Sequence, residues 1–322
     1  MANTKVATQE PKTALRKKTL FDRFLISLKK YWVLYLMMLG GLTYFFIFEY
    51  LTLPGLYIVF TDFSFRKGIF GSTFVGLKNF QTVFKINQFG WVLTNTIEIS
   101  FMKFLLGFPA PIILALLLNE VQNSKFKRVI QSVLYLPHFL SWIIMAGICT
   151  NLFSTVAGFI PLFLEQNFGI QMPSLMTDPN YIRPFLYATD IWKGVGWGTI
   201  IYMAALAGVD QQLYEAAAID GCNRLQLVRH VTLPAISVTV VTLMVMNLGG
   251  IMSAGFDQIF NLGNDMVEDK VDIIDTWSYR LAWESYKYEW SAVVGLFKAV
   301  VNAMLLYTSN WITGKISDSS PL

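Results

Sequence analysis

Six ionisable side chains, Glu98, Lys103, Asp190, Lys193, Asp257 and Lys298, stand inside stretches that are otherwise apolar. An unpaired charge in lipid costs at least about 2.5 to 3.5 kcal/mol, so such groups must face one another, a bundle interior or a watery path. Trp192, Trp197 and Tyr202 accompany Lys193 in one run, and Asn247, Phe256 and Asp257 follow in the next. Flat apolar rings with a few oriented polar groups are the usual wall of a small-molecule site. Trp192, Lys193, Trp197, Asn247, Phe256, Asp257 and Lys298 are therefore the candidates for lining a pathway. Plainer readings stand beside this one. Asp190 and Lys193 are three apart on a helix face and can simply pair, and a single tryptophan can anchor at an interface or pack between helices.

Catalytic sets are missing from the pattern. The sequence has no G-x-x-x-x-G-K-[ST] phosphate loop; its Gly314-Lys315 pair is followed by Ile316 and lacks the upstream glycine. No Ser-His-Asp or Cys-His arrangement is apparent, so an enzyme reading has little to rest on. Two cysteines, Cys149 and Cys222, with His138 and His230 make no metal-ligand spacing, and no nucleic-acid partner is expected.

The elements that must position these residues are membrane helices. The 322 residues are 54% hydrophobic and 14% charged, against about 25% charged in soluble domains. Six apolar stretches reach the roughly 20 residues that a crossing needs, near residues 32–60, 92–118, 129–153, 185–209, 235–260 and 291–312. The expected fold is thus all-α and polytopic, with six transmembrane helices. Residues 1–31 form an N-terminal segment and 32–322 a membrane domain with a polar loop at 210–234. The first span is interrupted by Glu49 and Pro54 and should kink there. Gly194, Gly196 and Gly198 should let the fourth approach a neighbour closely or bend. Eight Lys and Arg residues from Lys5 to Lys30 place the N-terminus in the cytosol by the positive-inside rule, and six crossings return the C-terminus there. The outer segment from Asp265 to Glu289 is acidic, whereas Arg66, Lys67, Lys78 and Lys85 break the rule on the outer side. The first apolar run is too long and aromatic for a cleaved signal. Phe21, Phe24, Leu25 and Leu28 recur at helical spacing among basic residues, which fits either an interfacial helix or a solvated anchor tail.

The loop at 210–234 carries the strongest signal. Glu215, Ala216, Ala217 and Ala218 favour a helix, Asp210 is placed to cap its start, and Gly221 to end it in a left-handed turn. Asn223 and Gln226 have the spacing of a capping box for a second helix, and Pro234 opens the next element. Helix, glycine corner and helix would project between two spans and could dock into a groove on a partner.

Glu215-Ala216-Ala217, three residues, Gly221, nine residues, Val231, Thr232, Leu233-Pro234 resembles the EAA loop of bacterial ABC importer permeases, with Val231 where that family has Ile. Further stretches, among them Val75 to Phe80, Gly107 to Glu120, Tyr135 to Phe139, Asp190 to Lys193 and Gly255 to Gln258, are similar to the larger permease of binding-protein-dependent sugar importers of the complex-oligosaccharide subgroup, including those for alginate oligosaccharides. The resemblance implies a type I ABC importer in the bacterial cytoplasmic (inner) membrane. It would comprise this chain, a second permease, two ABC ATPase subunits and an extracytoplasmic solute-binding protein that delivers an oligosaccharide. No cofactor would sit in this chain; ATP and its Mg ion would be bound by the ATPase subunits. Glu215, Ala216, Ala217, Asp220, Gly221, Leu233 and Pro234 would then couple to one ATPase. Lys103, Lys193 and Lys298 would suit an acidic sugar such as alginate, though a neutral-sugar importer could carry them too. A permease for another solute class, or a membrane sensor or scaffold that does not transport, are the competing readings.

Overall fold

A computed structural model of the chain describes residues 27–316, and side chains through Trp311. The expectation for Phe21, Phe24 and Leu25 lies outside those residues. The chain divides into two compact units at Leu56/Tyr57.

In the first unit, α1 (Trp32–Phe45) runs into a wider turn at Phe46–Tyr50, where the Leu51 N–H donates to the Phe46 carbonyl at 2.9 Å. The Thr52 hydroxyl then donates to the Phe48 and Glu49 carbonyls at 3.0 and 2.9 Å. The helix is thus remade between Glu49 and Pro54, where the sequence predicts a kink.

The second unit opens with a two-stranded antiparallel hairpin, Thr61–Asp62 against Thr73–Phe74, followed by α2 (Lys78–Lys85), α3 (Asn87–Gly107) and α4 (Pro109–Asn119). Next come α5 (Ser124–Tyr135), α6 (Trp142–Phe153), α7 (Phe159–Phe168) and α8 (Ile182–Ala207). The remaining long elements are α9 (Gln211–Ile219), α10 (Arg224–Leu227), α11 (Ser237–Gly249), α12 (Phe256–Leu262), α13 (Ile274–Trp283) and α14 (Tyr288–Ile316). Among the described residues, Trp32–Phe60, Asn87–Asn119 and Tyr288–Trp311 are long and apolar enough to cross a membrane. Counting Ser124–Phe139 with Trp142–Phe153, bent by 107°, and Arg224–Ala235 with Ser237–Gly249, bent by 66°, as one span each gives up to five. Helix α8 has 26 residues and carries Arg183, Asp190 and Lys193; it spans about 39 Å.

Two of the expected spans are not single straight helices: 129–153 bends by 107° between Phe139 and Trp142, and 235–260 is interrupted. The stretch 235–260 is not one helix: it stops at Gly249, passes through six non-helical residues and restarts at Phe256. Gly249, Gly250 and Gly255 lie at that break, where glycine weakens helical order most.

Three apolar clusters hold the unit together. Ile99, Cys149, Ile182, Leu186, Ile259, Leu262 and Ile273 join α3, α6, α8 and α12. Val83, Phe89, Val92, Trp277, Val293 and Val294 tie α2 and α3 to α13 and α14. Ala115, Tyr202, Leu206 and Ile236 seal α4 against the end of α8.

Candidate functional site

The polar loop folds as a capped corner. The Asp210 carboxylate accepts the Gln212 N–H at 3.0 Å at the start of α9. At its end the Cys222 N–H reaches the Ala217 carbonyl at 3.0 Å and the Gly221 N–H that of Ala218 at 3.1 Å, the paired bonds of a Schellman stop. Gly221 adopts φ +77° to make them, a left-handed conformation that costs other L-residues roughly 1 to 2 kcal/mol. Asn223 and Gln226 exchange side-chain-to-backbone bonds at 2.9 and 2.8 Å in a complete capping box. The Tyr214 hydroxyl donates to Thr232 at 3.2 Å and so braces α9 against the returning segment. Pro234 falls in the first turn of Leu233–Ala235. Glu215, Ala216, Asp220 and Gly221 are exposed, Ala217 is half-buried, and Ile219 and Leu225 are 87% and 79% exposed. The element is shaped mainly by its own caps and presents both charge and apolar surface.

A cavity of about 450 Å³ opens between α3, α4, α8 and α11. Helix α3 contributes Ser100, Lys103, Phe104 and Gly107, which the helical period places on one face. Helix α8 contributes Asp190, Gly194, Trp197, Gly198 and Ile201 by the same rule, and α11 contributes Leu243 and Asn247. Trp197 lies parallel to His138 with ring centres 4.6 Å apart, and Phe139 meets it edge-on. The backbone beside Gly196 explains how α8 reaches its neighbour: a Cβ there would fall 2.0 Å from the Leu134 carbonyl oxygen. Among the three glycines, Gly194 instead lies open on the cavity.

The charged groups named from the sequence are all accounted for, though not as expected. Asp190 faces Lys103 at 3.5 Å rather than pairing with Lys193. Lys103 also donates to the Ala254 carbonyl at 2.6 Å and to the Gln258 side-chain oxygen, and thereby holds both sides of the break after α11. Lys193 donates to the carbonyls of His138 and Leu140 at 2.8 and 2.6 Å, and to Pro137 at 3.4 Å. These carbonyls sit at the bend between α5 and α6, where a helix end has acceptors without intrahelical donors and a cation is favoured. Lys298 is held by Asp275 through two contacts of 2.7 Å. Of the seven pathway candidates, Trp197 and Asn247 line the cavity, while Trp192, Lys193, Phe256, Asp257 and Lys298 do not. Phe256 belongs to an aromatic cluster with Phe260 and Tyr279 at ring distances of 5.2 and 5.7 Å, and Asp257 is exposed.

Sequence reasoning overlooked a latch between α3, α8 and the acidic segment. Arg183 donates to Glu98 at 2.5 Å, to the Asn95 side-chain oxygen at 2.6 Å and to the Lys270 carbonyl at 2.9 Å. The Asn95 amide in turn donates to the Asp269 and Asp272 carbonyls at 3.0 and 3.1 Å, and Thr96 accepts the Ile274 N–H at 2.9 Å. Arg183 and Asn95 together tie the acidic segment to α3 and α8, and Glu98 holds the Arg183 guanidinium. The same segment holds a second knot, in which Arg280 pairs with Glu268 at 2.7 Å and with Asp272. Burial pushes the Asp272 carboxyl above its usual range, and bonds from Thr276 and Arg280 offset only part of that. Ser100 and Gln258 were also overlooked; an arginine at the edge of an apolar run, and a serine and a glutamine inside apolar runs, were the available signals.

Residues 107–312 match the family described as binding-protein-dependent transport system inner membrane component. Protein LplB of Bacillus subtilis is 40% identical over 292 residues, covering 91% of this chain and 92% of LplB. The polygalacturonan/rhamnogalacturonan transport system permease protein YteP of the same organism is 37% identical and covers 94% of each chain. In structure, the chain is similar to a permease in the crystal structure of a bacterial ABC transporter involved in the import of the acidic polysaccharide alginate. The TM-score is 0.84 at 33% identity, over 92% of this chain and 99% of that one.

Proposed function

Because the chain belongs to the family of binding-protein-dependent transport system inner membrane components, we propose that it moves oligosaccharides across the bacterial cytoplasmic membrane as one of two different permeases in an ATP-driven importer. The chain is a multi-pass membrane permease of the sugar ABC importer kind, and its relatives are transport permeases. The finer reading adds six spans with both termini in the cytosol, two ATPase subunits that bind ATP and Mg, and a solute-binding protein outside. An acidic oligosaccharide of the alginate type is the favoured cargo, since the alginate importer permease resembles this chain over nearly its whole length.

The observation that carries the proposal is the exposed, self-capped corner at Gly221. Helix α9 is the part that would rest in a cleft of one ATPase, with Glu215, Ala216, Ala217 and Asp220 on the docking element, Gly221 setting its exit, and Leu233-Pro234 returning the chain to the membrane. Closure of the ATPase pair would then shift the spans between inward- and outward-facing populations. Trp197 and Asn247 remain the pathway residues. The test is nucleotide-driven accumulation of sugar in vesicles containing this chain with its second permease, ATPases and binding protein. Accumulation that requires ATP supports the proposal. A ligand response without accumulation is the outcome of a sensor, and accumulation of another solute class in place of sugars that of a different importer.

A further inference from the structure

We infer that the cavity wall built by this chain reads sugar hydroxyls through Asp190 and Ser100, with Lys103 as their positioning residue, and that no lysine of this wall is free to bind a carboxylate. The inference rests on the importer reading and says which part of the cargo this wall contacts.

Among the described residues, Lys103 is the only lysine or arginine in the cavity lining. Its ammonium has three N–H groups and faces three acceptors: the Ala254 carbonyl, the Gln258 oxygen and Asp190. The Gln258 amide cannot turn away, because its nitrogen donates to the Leu186 carbonyl at 2.7 Å and to the Thr189 hydroxyl at 2.9 Å. The lysine is therefore spent on protein groups. Lys193 and Lys298 are spent as well, on the α5–α6 bend and on Asp275.

Asp190 and Ser100 are two of the polar groups in the lining that keep capacity for a ligand. The Asp190 side chain is 37% exposed and pairs with Lys103 at 3.5 Å, which leaves further acceptor sites on the carboxylate. Ser100 is only 5% exposed, yet its hydroxyl has no hydrogen-bond partner among the described residues. A buried hydroxyl without a partner is unusual in a protein interior, and this one belongs to the same α3 face as Lys103. A carboxylate acceptor and a hydroxyl that can donate or accept match the hydroxyls of a pyranose, while the Trp197–His138 pair offers a flat surface for the ring. A carboxylate of the cargo would meet the like charge of Asp190 here. An acidic sugar must then turn its hydroxyl edge to this wall and its carboxylates toward other subunits.

The experiment uses the complete transporter in vesicles and a panel of neutral and uronate tri- to pentasaccharides, comparing wild type with Asp190→Asn and Ser100→Ala. Asp190→Asn should raise the ratio of uronate to neutral uptake efficiency by about tenfold, because a like charge is removed from the wall. Ser100→Ala should raise KM about fivefold, as for one lost hydrogen bond, with maximal rate, assembly and melting temperature unchanged. A merely structural role would instead lower the melting temperature and slow both sugars equally. Wild-type KM in Ser100→Ala together with an unchanged charge preference in Asp190→Asn overturns the inference; should Asp190→Asn fail to assemble, a wild-type KM in Ser100→Ala overturns it alone. If the wild type accumulates no sugar of the panel, the importer reading itself falls and this inference with it.

Discussion

The corner at Gly221 and the wall of the cavity are built in opposite ways. The hydrogen bonds that cap the corner join residues two to five apart, from Asp210–Gln212 to Ala217–Cys222, with two longer ties, Tyr214–Thr232 and the exposed Arg224–Glu120 pair. Those that shape the wall and the latch join residues 53 to 178 apart, from Leu140–Lys193 to Thr96–Ile274. A corner that stabilises itself can stand in solvent and be offered to a partner, and a substitution there changes what is offered without disturbing the spans. The wall exists only when several helices meet, so each of its polar groups is also a fold contact. Function and stability are separable in the first region and entangled in the second.

Gly221→Pro should have the largest effect. The ring fixes φ near −65° where the native value is +77°, and it deletes the N–H that caps Ala218. Uptake by the assembled transporter should fall at least about tenfold, while size-exclusion chromatography shows an intact complex. Loss of the complex would mean that the corner is not separable from the fold.

Arg183→Met should be next, and it should act on stability. Arg183 makes charge-assisted bonds to Glu98 and Asn95 and holds the Lys270 carbonyl. Because Glu98 is half-exposed, the expected loss is moderate, about 2 kcal/mol. Hydrogen exchange should report it as earlier opening of the 265–275 segment. Unchanged protection there would remove the latch from the account.

Lys193→Met should cost about 1 kcal/mol, since it strips a cation from the carbonyls at the α5–α6 bend. Adding Asp190→Leu should not restore the loss, because Asp190 is partnered by Lys103. Restoration in the double variant would return Asp190 and Lys193 to the simple pair that their spacing allows.

The smallest effect concerns pH. Burial raises the Asp272 carboxyl in the folded chain above its unfolded value, so its contribution is complete below the unfolded pKa and is lost as pH rises through the folded one. Melting temperature should therefore decline as pH climbs above the ordinary aspartate range of about 4, and Asp272→Asn should flatten that decline. A decline of equal size in the variant would assign it to other groups.

The same contrast explains what could be read beforehand. Asp210, Gly221 and the Asn223–Gln226 box act over distances that lie within one glance along the sequence, so the corner's geometry was legible. The apolar runs fixed the helical, membrane-bound class for a similar reason. The pairing of charges was not legible, because spacing on one helix favours Asp190 with Lys193, whereas the partner that Asp190 meets comes from α3 and the acceptors that Lys193 meets come from a 107° bend. Hydropathy joined 235–260 into one span because it does not register the backbone freedom of Gly249, Gly250 and Gly255. Arg183 escaped notice because its three partners lie on α3 and in the acidic segment, and only the fold brings them together.

The account's central claim is that the exposed corner transmits ATPase motion to the spans. Its most direct test is the number of ATP molecules hydrolysed per sugar accumulated, measured on the complete transporter with and without Glu215→Lys. Reversing this exposed charge should spare insertion and assembly and leave hydrolysis running while uptake drops about tenfold or more, so that the ratio climbs steeply. An unchanged ratio, with wild-type uptake and ligand-stimulated hydrolysis, would contradict the claim.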